Sequence, residues 1–109
     1  MLIRGTTPII RFSYKTLLPS EMAEVYMTIT QKGENLVEKT KDEAEIGSYQ
    51  DGGQTVYYLQ WGLSQEETLL IDANRTVSIQ TRVKMNDGSV FASQVYTIRG
   101  YDVLKEGVI

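Results

Sequence analysis

Tyr57, Tyr58 and Trp61, with Tyr49 nearby, carry the most specific chemistry in the chain, because flat aromatic rings can stack against sugar faces as they do in carbohydrate-binding modules. In a strand, Tyr57 and Trp61 share a face while Tyr58 points the other way, so one of those faces is expected to be core. The carboxylates Asp42, Glu43 and Glu45, or Glu66 and Glu67, have the chemistry of a glycosidase pair. Neighbouring acids in one segment rarely face each other across a substrate, however, and a solvated face is the better reading. Asp72 with Asn74, or Asn86 with Asp87, offers oxygens to a calcium ion, yet neither spacing matches a known loop signature, and turn chemistry accounts for them equally well. Gly5 and Gly33 stand alone, and nothing resembles a phosphate-cradling glycine loop. No catalytic, cofactor-binding or metal-ligating set is assigned, and Tyr57, Tyr58 and Trp61 remain as an aromatic binding surface to be tested.

The composition narrows the chemistry further. The chain has no cysteine and no histidine, which excludes disulfides, Cys or Cys/His zinc sites, thiol nucleophiles and histidine-based triads. With 11 basic and 14 acidic residues the formal charge is −3, and the basic residues are scattered rather than gathered in a stripe, so nucleic acid is not an expected ligand. The first residues, Met1-Leu2-Ile3-Arg4-Gly5, hold no signal-like apolar stretch, and no run approaches the roughly 20 apolar residues of a membrane span. The expectation is a soluble product of a reducing cytosol, not secreted by a signal peptide and not inserted in a membrane; if it reaches the outside, it does so by cell lysis or inside a larger particle. At 109 residues and 41% apolar content, a single domain over 1–109 is large enough to bury a core without staples. The 7 tyrosines suit a protein interface, where amphipathic rings are favoured anchors.

The elements that must position these residues read as strands. From Val77 to Met85 every second residue is apolar or β-branched, with Ser78, Gln80, Arg82 and Lys84 between, the period of a half-buried strand. A second strand follows Asn86-Asp87-Gly88, and two registers compete for this hairpin. A two-residue type I′ turn sets Val83 against Ala92 and Ile79 against Tyr96. A bulge at Gly88 sets Val83 against Phe91 and Ile79 against Val95. Residues 8–14 read as an edge strand opened by Pro8, and 17–21 as a turn or loop. Val25, Met27 and Ile29 mark another strand, closed by a turn over Lys32-Gly33-Glu34-Asn35. Residues 35–40 and 45–49, with their lysines and acids, suit edge strands, and the turn at Gln50-Asp51-Gly52-Gly53 leads into a strand over 55–61. Ser64 and Glu67 have the spacing of a capping box, which predicts one or two helical turns near 64–70 as a crossover. Six or seven short strands with one helical crossover predict an all-β fold, an immunoglobulin-like antiparallel β-sandwich, with a small barrel as the alternative.

Several segments also carry a resemblance. Arg4-Gly5-Thr6-Thr7-Pro8 before an alternating strand, Leu63-Ser64-Gln65-Glu66-Glu67-Thr68-Leu69, Ile79-Gln80-Thr81-Arg82-Val83 before Asp87-Gly88, and Leu104-Lys105-Glu106-Gly107-Val108-Ile109 resemble, in that order, a group of small phage structural proteins encoded in prophages of Gram-positive bacteria. The resemblance runs nearly end to end. It implies a virion or assembly component of tail or baseplate type, without enzymatic activity or cofactor, made in the bacterial cytoplasm and then carried in the virion. The partners it implies are other phage structural proteins or copies of the chain itself, with residues 1–7 and 100–109 as expected contact segments. A carbohydrate-binding module that helps a particle hold its host's surface is the alternative, and it requires Tyr57, Tyr58 and Trp61 to lie exposed together.

Overall fold

The computed structural model describes residues 2–101. Nine strands follow one another along these residues: β1 (Leu2–Ile3), β2 (Ile9–Tyr14), β3 (Met22–Gln31), β4 (Glu34–Thr40), β5 (Glu45–Asp51), β6 (Gln54–Gly62), β7 (Thr76–Met85), β8 (Val90–Ala92) and β9 (Tyr96–Tyr101). The helix α1 (Gln65–Leu69) lies between β6 and β7. The larger sheet has the order β1-β9-β7-β3-β4, with β8 also paired to β7, and the smaller has the order β2-β6-β5. Pairing is antiparallel except between β1 and β9, where Leu2 lies beside Gly100.

The predicted immunoglobulin-like β-sandwich is therefore the fold, and its strand order is the one that fold uses. With β2 as strand B, β9-β7-β3-β4 follows the G-F-C-C′ order of the variable-type sheet and β2-β6-β5 follows B-E-D, with β1 added in parallel beside β9. The predicted edge strands are edges: β2 and β5 bound the smaller sheet and β4 ends the larger one. The turn after β3 is tighter than expected, because β4 already begins at Glu34.

Alternation explains the core. Val77, Ile79, Thr81, Val83 and Met85 of β7 are all buried, and so are Met22, Val25, Met27, Ile29 and Gln31 of β3. These central strands meet Phe12, Leu59, Trp61, Leu63 and Ile71 in one apolar cluster. Each such side chain contributes about 1.5–3 kcal/mol relative to exposure.

The β7 hairpin uses both competing registers. Near the tip Val83 pairs with Phe91, and farther down Ile79 pairs with Tyr96 and Val77 with Ile98. At the tip the Gly88 N–H donates to the Met85 carbonyl at 3.0 Å, and Gly88 has φ +92°, a conformation that favours glycine. The one-residue shift between the halves is absorbed at 93–95. There Ser93 Oγ accepts the Thr81 N–H at 3.0 Å, and the Ser93 N–H donates to the Thr81 carbonyl at 2.9 Å.

Polar side chains fix the crossovers. Ser64 Oγ accepts the Glu67 N–H at 3.1 Å, and Glu67 Oε1 accepts the Ser64 N–H at 2.9 Å, which is the predicted capping box. Lys39 Nζ lies 2.8 Å from Glu67, and the buried Thr68 hydroxyl donates to the Thr6 carbonyl at 2.9 Å, so α1 is tied to both β4 and the N-terminal segment. After α1, the Gln31 side-chain amide clamps the backbone of Asp72, donating at 3.1 Å and accepting at 2.7 Å. Between β4 and β5, where the chain changes sheet, the Trp61 indole N–H donates to the Thr40 carbonyl at 2.9 Å.

Candidate functional site

The two sheets differ in width, and the difference leaves an opening. The smaller sheet ends at β2, while the larger one continues past it through β8 and β9. Cross-strand pairing puts Phe91 on the face of Val83 and Tyr96 on the face of Ile79, the face turned toward the smaller sheet. No strand of the smaller sheet covers them, so both are about half exposed, at 47% each. The result is an open groove of about 720 Å³ with β2 as one wall, Ile79, Thr81 and Val83 in its floor, and Phe91 and Tyr96 along its far side. Exposed Ile9 borders it, exposed Val90 begins β8, and exposed Val95 directly precedes β9.

Two contacts tie the wall to the larger sheet, one at the far side and one at the floor. The Phe12 ring meets Tyr96 edge-on with centroids 5.7 Å apart, and the Tyr14 hydroxyl lies 3.2 Å from Thr81 Oγ1. Burial pushes the Tyr14 hydroxyl above its ordinary pKa; the Thr81 bond pulls it back, and nearby Tyr96 adds to the rise. It is a neutral hydrogen-bonding group at physiological pH. Toward the hairpin tip a second pocket of about 470 Å³ adjoins the groove, sharing Leu17 and Phe91 with it and lined further by Glu21, Asn86 and Asp87. The hydrogen bonds from Ser89 hold the Asp87 carboxyl below the usual carboxylate range, so this end carries negative charge.

The wall also presents backbone. β2 is bonded on one side, to β6, and the Leu63 N–H donates to the Pro8 carbonyl at 2.9 Å. Since bonded and non-bonded pairs alternate along an antiparallel ladder, that bond makes Ile10, Phe12 and Tyr14 the residues bonded to β6. Ile9, Arg11 and Ser13 then turn their N–H and C=O groups toward the open side.

The aromatic residues singled out in the sequence do not form one surface. Trp61 is buried in the core at 1% exposure, Tyr57 shares its inward face, and Tyr58 lies on the outer face of the smaller sheet. The strand alternation that separated them also separates their roles. Tyr58 leans over Gly47, where a Cβ would run into its ring, and the Arg11 guanidinium covers it at 3.9 Å from the centroid. Arg11 also donates to Gln60 at 2.7 Å, and Gln60 to Glu45 at 2.9 Å, so this face is a closed ladder with Tyr49 exposed at its edge. A sugar platform built from Tyr57, Tyr58 and Trp61 is thereby corrected: its tryptophan is core.

Several of the candidate acids have structural partners. Glu43 accepts the Thr40 N–H at 3.1 Å, Glu67 caps α1, Asp72 pairs with Lys32 at 2.7 Å, and Asp87 Oδ1 accepts the Ser89 N–H at 2.8 Å. Among the described residues no three Asp or Glu side chains gather into a metal-binding set, and no helix is long and apolar enough to cross a membrane. Of the expected contact segments, the described parts are bound to each other: Leu2 is buried, and the Arg4 N–H donates to the Tyr101 carbonyl at 2.9 Å. Met1 and residues 102–109, with the motif Leu104-Lys105-Glu106-Gly107-Val108-Ile109, lie outside the described residues. Phe91 and Tyr96, the groove's aromatic residues, read in the sequence as ordinary strand positions, and only their uncovered place in the sheet singles them out. No protein-family model and no curated protein matches the chain.

Proposed function

We propose that this chain is a non-enzymatic structural module of a phage or prophage particle, of tail or baseplate type, that acts through protein contacts. The ordered series of short segments resembling prophage-encoded structural proteins supports the particle. The observation that carries the contact role is the uncovered inner face beside β2, where half-exposed Phe91 and Tyr96 meet an open strand edge. Such edges are places where another chain adds, and proteins without a partner usually cover or blunt them. In a particle of repeated subunits, many modest contacts of this kind act together, so a small module holds its place without a deep pocket.

The test is direct. Particles induced from the source bacterium, purified on a density gradient and analysed by mass spectrometry, are expected to contain this chain in the fractions that hold capsid and tail proteins. Finding it only in the soluble cell fraction, with complete particles lacking it, overturns the assignment.

A further inference from the structure

We infer that the groove beside β2 is the seat of a missing fourth strand of the smaller sheet, supplied by an extended segment of a partner protein that carries alternating apolar residues and a Lys or Arg near its N-terminal end. The inference rests on the protein-contact reading above, though not on the particle being a phage. Three observations fit one occupant. Ile9, Arg11 and Ser13 direct backbone N–H and C=O groups outward, the spacing an added strand bonds to. An added strand would lie over Phe91 and Tyr96, so every second side chain of it would meet an apolar surface that is otherwise half exposed. Charge then sets which end of it is cationic. Glu21 and Asp87 stand at the hairpin end of the groove, beyond the C-terminal end of β2. A strand antiparallel to β2, the orientation of both pairs already in this sheet, starts at that end, and a cation among its first residues complements the two acids.

A second copy of this chain fits less well. Pairing of β2 with β2 about a two-fold axis through its outward-facing residues centres on Arg11, setting Ile9 opposite Ser13 and Arg11 opposite Arg11, and like charges directly opposed on a ladder are destabilising. A sugar fits poorly as well, because the floor is aliphatic and the strand edge offers backbone groups at strand spacing.

The probe is a displayed library of random nine-residue peptides panned against the full-length protein, followed by a synthetic copy of the enriched sequence. Enriched peptides are expected to alternate apolar and polar residues and to carry Lys or Arg in the first two or three positions. That cationic preference is expected to disappear against the Glu21→Gln, Asp87→Asn double variant. The synthetic peptide is expected to bind Ser13→Pro at least tenfold more weakly, since proline removes an outward N–H without touching the β6 ladder. Phe91→Asp, an independent change in the far side of the groove, is expected to weaken binding similarly; circular dichroism and melting report that each variant folds. Amide exchange at Ile9, Arg11 and Ser13 is expected to be fast in the free protein and slowed by peptide. Failure of any library member to enrich, enriched sequences without alternation, or equal binding to both folded variants would overturn the inference. Slow exchange at those amides in the free protein would also overturn it: independent of concentration, it means the chain's own segment occupies the edge, and rising with concentration, it means a second copy does. None of these results bears on whether the chain is found in purified particles, so the two readings fail separately.

Discussion

Glu67 does two jobs with one carboxylate, closing the capping box on Ser64 and pairing with Lys39 at 2.8 Å. Burial alone would raise its pKa, but the bonds from Lys39 and Ser64 outweigh burial and hold it below the ordinary carboxylate range. A carboxyl depressed in the folded state adds stability above its unfolded pKa, and that stability is lost as pH falls through the lower, folded value. Glu67→Gln keeps a side chain able to cap but removes the ion pair. It is therefore expected to be less stable than the wild type by up to about 1 kcal/mol at neutral pH. The gap should close as the solution is taken below the carboxylate range, as read from urea midpoints at a series of pH values. The capping role was legible from the Ser64 to Glu67 spacing; the Lys39 partner was not, because it arrives from β4 across the fold. Trp61 teaches the same lesson about sites. Alternation assigned it a face, but only sheet packing made that face the core.

At the scale of elements, the hairpin of β7 with β8 and β9 depends on how a one-residue mismatch is absorbed. Both registers were readable from the sequence, since each matches apolar with apolar, and local pattern had no means of choosing between them. The chain takes one register at the tip, where Gly88 and the Asp87 to Ser89 bond shape the turn, and the other where β9 must meet β1. Ser93 is the joint: its hydroxyl receives the Thr81 N–H at 3.0 Å and donates to the Gln94 carbonyl at 2.9 Å. Ser93→Ala leaves the Thr81 N–H without that acceptor beside a buried residue, and an unpaired buried donor costs about 1–3 kcal/mol. The variant is expected to lose stability in that range, and exchange at the Thr81 amide should accelerate more than at Val77, which lies in the lower register. Uniform acceleration along β7 would mean that Ser93 serves the whole sheet rather than the joint.

At the scale of the molecule, the two sheets do not match, and this is what the sequence concealed. Phe91 and Tyr96 sit at positions that read as ordinary strand residues, and the smaller sheet stops one strand short of them. Strand count and pairing order are properties of the assembled sheets, so no window of residues records which apolar positions stay uncovered. The consequence is measurable without any partner. An inner-face side chain under a complete sandwich, such as Ile29 at 0% exposure, should cost about 2–5 kcal/mol on truncation to alanine. Phe91, although larger, is 47% exposed and lines an open groove, so Phe91→Ala should cost less than half as much as Ile29→Ala in the same denaturant titration. Equal losses would mean that the Phe91 ring already belongs to the core, and the groove would then be a packing surface of the isolated domain. The expected inequality leaves an aromatic side chain whose contacts are incomplete in the folded chain, and a strand added beside β2 would complete them.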